Sequence, residues 1–258
     1  MHHGDHSSAY HPPPYFPFLP MFNPRPTIQL IPIPGHLPCI VIDDFLLEPE
    51  AMVAYATQQR DHFSMAPVNT FPGLQLVMPD DFSARLNDFF IQHIRRLLGA
   101  RRTERIFSRL SMATLQPHEL GLFQRICHTD PITTHPQQCF AASVLYLFDN
   151  PDLGGTSFYR PTMAKDELYR LFYSPDSPWC TMSNEEFTAE LGVEPGYQTG
   201  SNKYFELINM VPAKWNRMIF YDAYIFHSAY ITNPSLLSSD PTGGRLTING
   251  FFTCRRAA

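Results

Sequence analysis

The stretch Gln124-Arg125-Ile126-Cys127-His128-Thr129-Asp130 ends in a His-x-Asp. On an extended strand, residues i and i+2 face the same way, so His128 and Asp130 can present an imidazole and a carboxylate side by side. Together they are two members of a 2-His-1-carboxylate set, the arrangement that holds non-haem Fe(II) and leaves coordination positions open. The tripeptide is common by chance, and Pro131 directly after it also fits a strand that simply runs into a turn. Iron chemistry therefore needs a third ligand and an anchor for a cosubstrate from elsewhere in the chain.

Several histidines compete for the third position. Residues 216–228 open with an apolar run and read as a strand, with His227 near its end. His135 lies close to His128 in sequence, but Pro136 follows it and no strand places it. His118 stands beside Pro117. Further on, Gly243-Gly244-Arg245-Leu246-Thr247-Ile248-Asn249 alternates, so that Arg245, Thr247 and Asn249 share one face and Leu246 and Ile248 the other.

The order His-x-Asp, distal His, Arg-x-Thr resembles the Fe(II)/2-oxoglutarate-dependent dioxygenase superfamily. A second feature extends the resemblance. Residues 142–147 (Ala-Ser-Val-Leu-Tyr-Leu), followed by Leu153-Gly154-Gly155-Thr156-Ser157-Phe158-Tyr159, are similar to the strand and Gly-Gly turn of the prolyl-4-hydroxylase-like branch. Within that branch, the chain resembles a bacterial family of unknown function. The similarity covers about residues 106–253. It implies a mainly β fold with flanking helices, built on a double-stranded β-helix, or jelly-roll, core. It also implies Fe(II) held by His128, Asp130 and His227, with Arg245 forked onto the far carboxylate of 2-oxoglutarate and Thr247 adding a hydroxyl. With O2, such an enzyme couples 2-oxoglutarate decarboxylation to C–H oxidation, most often hydroxylation. One departure is plain. Many members carry a Tyr about a strand before His-x-Asp. The corresponding region here, Met112-Ala113-Thr114-Leu115-Gln116, has none. Gln124 or Tyr146 stands as a substitute.

Composition narrows the alternatives. A chain of 258 residues, 44% hydrophobic and 17% charged, suits one globular domain of about 200 residues plus appendages. A net charge of −5 without a long Lys/Arg run argues against a nucleic-acid backbone as partner. The five cysteines include no Cys-x-x-Cys pair, which predicts a reduced, cytoplasmic setting. Cys127 alternates away from the His128 face and is expected to be buried. No apolar run reaches the ~18 residues of a membrane span, and the N-terminus lacks a signal-peptide pattern.

Along the chain, residues 1–36 hold nine of the 25 prolines, a density that disfavours helix and central strand. This zone, with Tyr10, Tyr15, Phe16, Phe18 and Phe22, reads as an extended arm dispensable for folding, with order starting near Leu37. Its four histidines (His2, His3, His6 and His11) fit a frayed tail better than a metal site. The single domain then spans residues 37–258. Expected elements are a strand at 39–42, a helix from Glu48 to about Gln59, and a helix capped by Asp80 or Asp81 and closed by Gly99. Strands follow at 106–115, 122–130, 139–149 and 204–211. A helical insertion at about 160–203 holds helices at 164–173 and 184–191, the second opened by a Ser183-x-x-Glu186 capping box. That insertion is expected to overhang the pocket as a lid, with Trp179 and Tyr173 touching substrate or else pinning the lid to the barrel.

The expected activity is a hydroxylase-like oxygenase acting on a small-molecule or peptide substrate, with neither nucleic acid nor membrane as partner. Two rivals remain: a cupin-like metal-binding jelly roll without 2-oxoglutarate, and a non-catalytic interaction protein with a vestigial site.

Overall fold

Strands dominate, and β-branched and aromatic residues recur in several of them. The computed structural model describes residues 22–65, 71–131 and 136–256. In chain order its strands are β1 (Ile28–Ile31), β2 (Cys39–Ile42), β3 (Ser64–Met65), β4 (Gly73–Val77), β5 (Ala100–Ala113), β6 (Gln138–Tyr146), β7 (Gly155–Pro161), β8 (Phe205–Pro212), β9 (Arg217–Asp222), β10 (Phe226–Tyr230) and β11 (Arg245–Arg256). The α-helices are α1 (Pro49–Gln58), α2 (Asp80–Phe89), α3 (Lys165–Tyr173) and α4 (Asn184–Leu191).

Two antiparallel sheets face each other. The larger has the order β1-β2-β9-β6-β11-β5-β4-β3 and the smaller β10-β7-β8. An isolated antiparallel bridge between His128 and His227 lays the His-x-Asp segment along the free edge of β10 as a fourth member of the smaller sheet. The chain thus alternates between sheets: β5 lies in the large one, the His128 segment in the small one, β6 in the large, β7 and β8 in the small, β9 in the large, β10 in the small and β11 in the large. That alternation is the double-stranded β-helix, and the mainly β class with flanking helices follows from it.

Burial follows the two-residue period. Ile40, Ile42, Met218 and Phe220 point to one side of the large sheet, where they meet Met52 and Tyr55 of α1 and Phe82 and Leu86 of α2. Their neighbours Cys39, Val41, Ile219 and Tyr221 point between the sheets, toward Tyr146 and Phe158. The outer face of the small sheet carries Tyr159, Phe205 and Phe226 and is covered by the insertion through Leu168, Trp179 and Phe187. Trp179 is only 1% exposed and packs edge-on against Phe172, Phe187 and Tyr204. It pins the insertion to the barrel. The α3 and α4 helices cover the outside of the small sheet, where the expectation was a lid over the pocket. Tyr173 is half-exposed and stacks on Tyr169.

Other expectations shift locally. Residues 122–130 do not form a continuous strand. Leu122–Gln124 is a 3₁₀ turn, closed by the Gln124 side chain accepting from the Gly121 amide at 2.8 Å. The Cys127 amide donates to Gln198 Oε1 at 2.7 Å, so a side chain replaces a ladder partner. Residues 216–228 break into β9 and β10, because Asp222 accepts from the Tyr224 amide and turns the chain from one sheet to the other. Asp81 bonds the Phe82 amide, but Pro79 occupies the cap position of α2. A π-helical turn at Phe90–Ile94 then leads to Gly99, whose φ is +66°. The capping box of α4 forms as expected.

Order also begins before Leu37. The run Ile28–Ile31 sits between Pro26 and Pro32 and pairs with β2 as the sheet's edge. An edge strand needs its amides on one side only, so flanking prolines are compatible with it. Phe22 stacks on Phe45 at 4.8 Å and meets Phe82 and Phe89 edge-on. Residues 1–21, including Tyr10, Tyr15, Phe16, Phe18 and the four histidines, lie outside the described residues. No helix of the described residues is long and apolar enough to cross a membrane.

These contacts make the second half of the arm part of the fold. Phe22→Ala is expected to cost about 1–2 kcal/mol, a drop of about 2–8 °C in Tm for a domain of this size. A chain starting at residue 37 should melt lower still. Thermal melts that left both unchanged would return the arm to the status of an appendage.

Candidate metal centre

The two ligand segments meet through backbone. The His128 amide donates to the His227 carbonyl at 3.0 Å, and the His227 amide returns a bond to the His128 carbonyl at 2.9 Å. The Asp130 amide donates to the Ala223 carbonyl at 3.2 Å. This lays the His-x-Asp against β10 with all three side chains converging.

His128, Asp130 and His227 present ligand atoms that all lie within 4.8 Å of one another. Asp130 Oδ1 is 3.7 Å from His128 Nε2 and 3.6 Å from His227 Nε2. Those separations are long for hydrogen bonds. The two rings lie 4.6 Å apart between centroids. Side-chain exposure is 43% for His128, 18% for Asp130 and 7% for His227, so the centre opens to solvent on the His128 side.

The hydrogen-bond pattern suits a cation. His227 Nδ1 lies 2.9 Å from the Ile225 carbonyl, and donation there leaves Nε2 as the free lone pair. Asp130 Oδ2 is buried with no hydrogen-bond partner among the described residues. Burial opposes the charge of Asp130, but His227 and His128 outweigh it and hold the carboxyl below its ordinary range. Desolvation and the facing His227 push His128 down, toward the neutral form that ligates metal. Desolvation also works against charge on His227, where the Asp130 carboxylate prevails and raises its pKa.

Arg245, at the start of β11, is 3% exposed. Its Nε donates to the Leu153 carbonyl at 2.9 Å and its Nη2 to the Gly155 carbonyl at 2.8 Å. The Gly154-Gly155 turn is what brings those carbonyls in. Gly154 has φ +86°, and a Cβ there would lie 1.5 Å from the Tyr230 carbonyl oxygen. The guanidinium also lies over the Phe148 ring at 5.6 Å. No carboxylate among the described residues forms an ion pair with it, so a buried positive charge is met only by carbonyl dipoles and aromatic rings. Such a charge is costly without an anion beside it.

Thr247 pairs across from Tyr146 on β6. The Thr247 hydroxyl donates to the Ser111 carbonyl at 3.3 Å, and the Tyr146 hydroxyl is 2.7 Å from Thr156 Oγ1. Tyr146 is fully buried, which pushes its phenol pKa up, while Arg245 acts in the opposite direction. Both ends of the Gln124 side-chain amide are occupied by backbone, at Gly121 N and at the Phe71 carbonyl. His135 lies outside the described residues, and His118 is exposed on a loop.

Sequence reasoning missed Tyr221. Its ring lies 4.8 Å from that of His227. Burial raises its phenol, and the charge of Asp130 and the neighbouring Tyr146 add to that. It shares the buried cluster between the sheets with Tyr146. The signal available was alternation, which puts Tyr221 on the same face of the run 216–228 as Ile219 and His227.

Comparison with curated proteins found no match. Among solved structures, the chain is similar to the non-heme alpha ketoglutarate dependent carbocyclase SnoK from nogalamycin biosynthesis, at 11% identity and a TM-score of 0.45, covering 84% of this chain and 79% of that one. It is similar to prolyl 4-hydroxylases from Phytophthora capsici, at 11% identity and a TM-score of 0.41, covering 84% and 58%. It is also similar to HygX from Streptomyces hygroscopicus, solved with nickel and 2-oxoglutarate bound, at 11% identity and a TM-score of 0.40, covering 83% and 82%. The model of the family of unknown function DUF6445 matches residues 24–252, nearly the whole chain, and the protein belongs to that family.

Proposed function

We propose that this protein is an Fe(II)/2-oxoglutarate-dependent oxygenase, of hydroxylase type, acting on a small-molecule or peptide substrate. The observation that carries the proposal is the triad itself. Two imidazoles and a carboxylate converge, His227 has its Nδ1 tied to the Ile225 carbonyl, and Asp130 keeps a buried oxygen without a partner. A donor set of two nitrogens and one carboxylate oxygen suits Fe(II) with positions left open. His128, Asp130 and His227 would hold the metal.

The buried Arg245 supports the cosubstrate. A guanidinium that lacks an acid of its own is a ready partner for a carboxylate. Arg245 would hold the carboxylate of 2-oxoglutarate remote from the metal, and the Leu153 and Gly155 carbonyls orient its fork. Thr247 and Tyr146 would line the same end. Tyr221, whose ring packs against that of His227, would stand in for the tyrosine absent from residues 112–116. Aromatic and aliphatic side chains between the sheets, Phe158 and Ile219 among them, would exclude water from the bound acid. When bound, Fe(II) and 2-oxoglutarate supply O2-dependent oxidation of a substrate C–H, with release of succinate and CO2.

The test is succinate release and Fe(II) binding. Anaerobic addition of Fe(II) and 2-oxoglutarate should produce the weak visible charge-transfer band of this enzyme class, and its absence would count against the assignment. Without that band or succinate formation, a metal-binding jelly roll of cupin type becomes the better account.

His227→Ala should lower Fe(II) affinity by more than about a hundredfold, beyond the usual cost of losing an outer-shell partner, and abolish turnover in a folded protein. His135→Ala should leave both nearly intact. If His135→Ala were the inactive variant and His227→Ala kept its iron, the ligand set would be wrong.

Arg245→Ala should raise the 2-oxoglutarate concentration needed for half-maximal turnover by about 10–100-fold, the worth of a charge-assisted contact, while iron binding persists. Arg245→Lys should recover part of that loss, because a point charge cannot fork. Equal 2-oxoglutarate affinity in wild type and Arg245→Ala would remove the carboxylate assignment.

A further inference from the structure

The row of side chains through Tyr221 leads out of the interior. Tyr221 on β9 pairs with Ala142 on β6, Ala142 with Phe251 on β11, and Phe251 with Phe107 on β5. Residues directly opposite one another in a ladder share a face of the sheet. Phe251 and Phe107 therefore face the same way as Tyr221, whose ring packs against that of His227. Along this row exposure rises from 3% at Tyr221 to 36% at Phe107.

The smaller sheet explains the opening. Asn209 of β8 donates to the Pro32 carbonyl at 2.7 Å, which seats the β8 edge of that sheet on the β1 side of the large one. The opposite edge, formed by the His128 segment, then lies toward β11 and β5. Among the described residues, no strand of the small sheet continues beyond it. The inner faces of β5 and β4 are left as an open shelf, where Val77, opposite Arg109, is 61% exposed. The shelf adjoins the side on which the centre opens, at His128.

Its chemistry is well defined. Phe107 and Phe251 stack with centroids 4.8 Å apart. Arg105 and Arg109 lie two positions either side of Phe107 and share its face. Their guanidinium carbons are 5.8 and 5.3 Å from the Phe107 ring centre, so both cations converge on one exposed ring. Arg109 Nη1 donates to Gln75 Oε1 at 3.0 Å, a neutral partner that orients the guanidinium without cancelling its charge. Neither arginine forms an ion pair among the described residues. The acid next to Arg105, Glu104, is taken by Arg255 at 2.6 Å and by Gln138 at 3.0 Å. An aromatic surface flanked by two unneutralised cations complements an apolar body that carries a negative group.

We infer that this shelf is the substrate subsite of the metal centre, and that the substrate is a small apolar molecule bearing a carboxylate or phosphate. Its apolar part lies on Phe107 and Phe251, and its anionic group is held by Arg105 and Arg109. The row from Phe107 to Tyr221 crosses three strand spacings, about 14 Å, so a small molecule anchored at the arginines reaches the triad with its far end. Calling the ligand a substrate rests on the oxygenase reading; its binding does not need the metal.

Calorimetric titration of the metal-free, full-length protein with 3-phenylpropionate, phenyl phosphate and 3-phenylpropylamine tests the shelf. The first two place the two anionic groups on one kind of ring and tell them apart, and the third replaces them with a cation. Saturable binding of at least one acid is expected, with the amine weaker by about tenfold or more. Arg105→Gln combined with Arg109→Gln should weaken binding of that acid by about tenfold or more. Arg105 is exposed, so Arg105→Gln alone decides the matter if the double variant melts far below wild type. Arg245→Ala should leave acid binding unchanged. Binding of neither acid, equal binding of the amine, unchanged binding in the arginine variants, or binding lost in Arg245→Ala would each overturn the shelf. Succinate release, assayed in parallel with Fe(II) and 2-oxoglutarate, separates the two readings. Acid binding in a protein that never releases succinate removes the oxygenase and with it the substrate assignment. Succinate release without acid binding removes the shelf alone.

Discussion

The pair of backbone hydrogen bonds between His128 and His227 is the contact on which the centre depends. It joins two segments nearly a hundred residues apart and sets both imidazoles on one rim. The bridge is short, with no continuous ladder beside it, because a 3₁₀ turn precedes it and Pro131 follows it. Its position is secured from outside. Gln198 takes the Cys127 amide, Ala223 takes the Asp130 amide, and Ile126 and Cys127 are buried under the insertion. A loop-like segment can hold metal ligands with precision when neighbouring elements fix its backbone.

The insertion matters for the same reason. Its aromatic cluster around Trp179 packs on the outer face of the small sheet and braces the strands whose inner faces carry His227 and Phe158. The large sheet is braced on its outer face by α1 and α2, and by Phe22 from the arm. Both sheets are thus buried on two sides. That explains why β2 and β9 read as nearly continuous apolar runs, where a half-exposed strand would alternate.

Buried arginines without acids are the second organising feature. Arg245 is held by the Leu153 and Gly155 carbonyls, and Arg125 by the Leu120 carbonyl. Carbonyl dipoles orient a guanidinium without neutralising it. A fold that keeps two such charges inside retains them at a cost in stability.

The local sequence determined much of this. The periods of β2, β11, α1 and α4 were legible, because alternation, Pro at a first turn and a capping box are short-range signals. The order His-x-Asp, Gly-Gly, His, Arg-x-Thr was legible as well, and with it the triad, Arg245 and the double-stranded β-helix. Tertiary structure decided the rest. Whether residues 216–228 are one strand or two depends on Asp222 turning the chain between sheets. Whether Ile28–Ile31 is arm or edge strand depends on the free side of β2. Trp179 was ambiguous between lid and anchor until the outer face of the small sheet supplied its partners, and Tyr221 is placed beside the triad by its ring contact with His227. The bond at Asp222 is local, but the sheet that each half of 216–228 joins is set by pairing with β6 and β7, far away in the chain, and no local pattern encodes those partners.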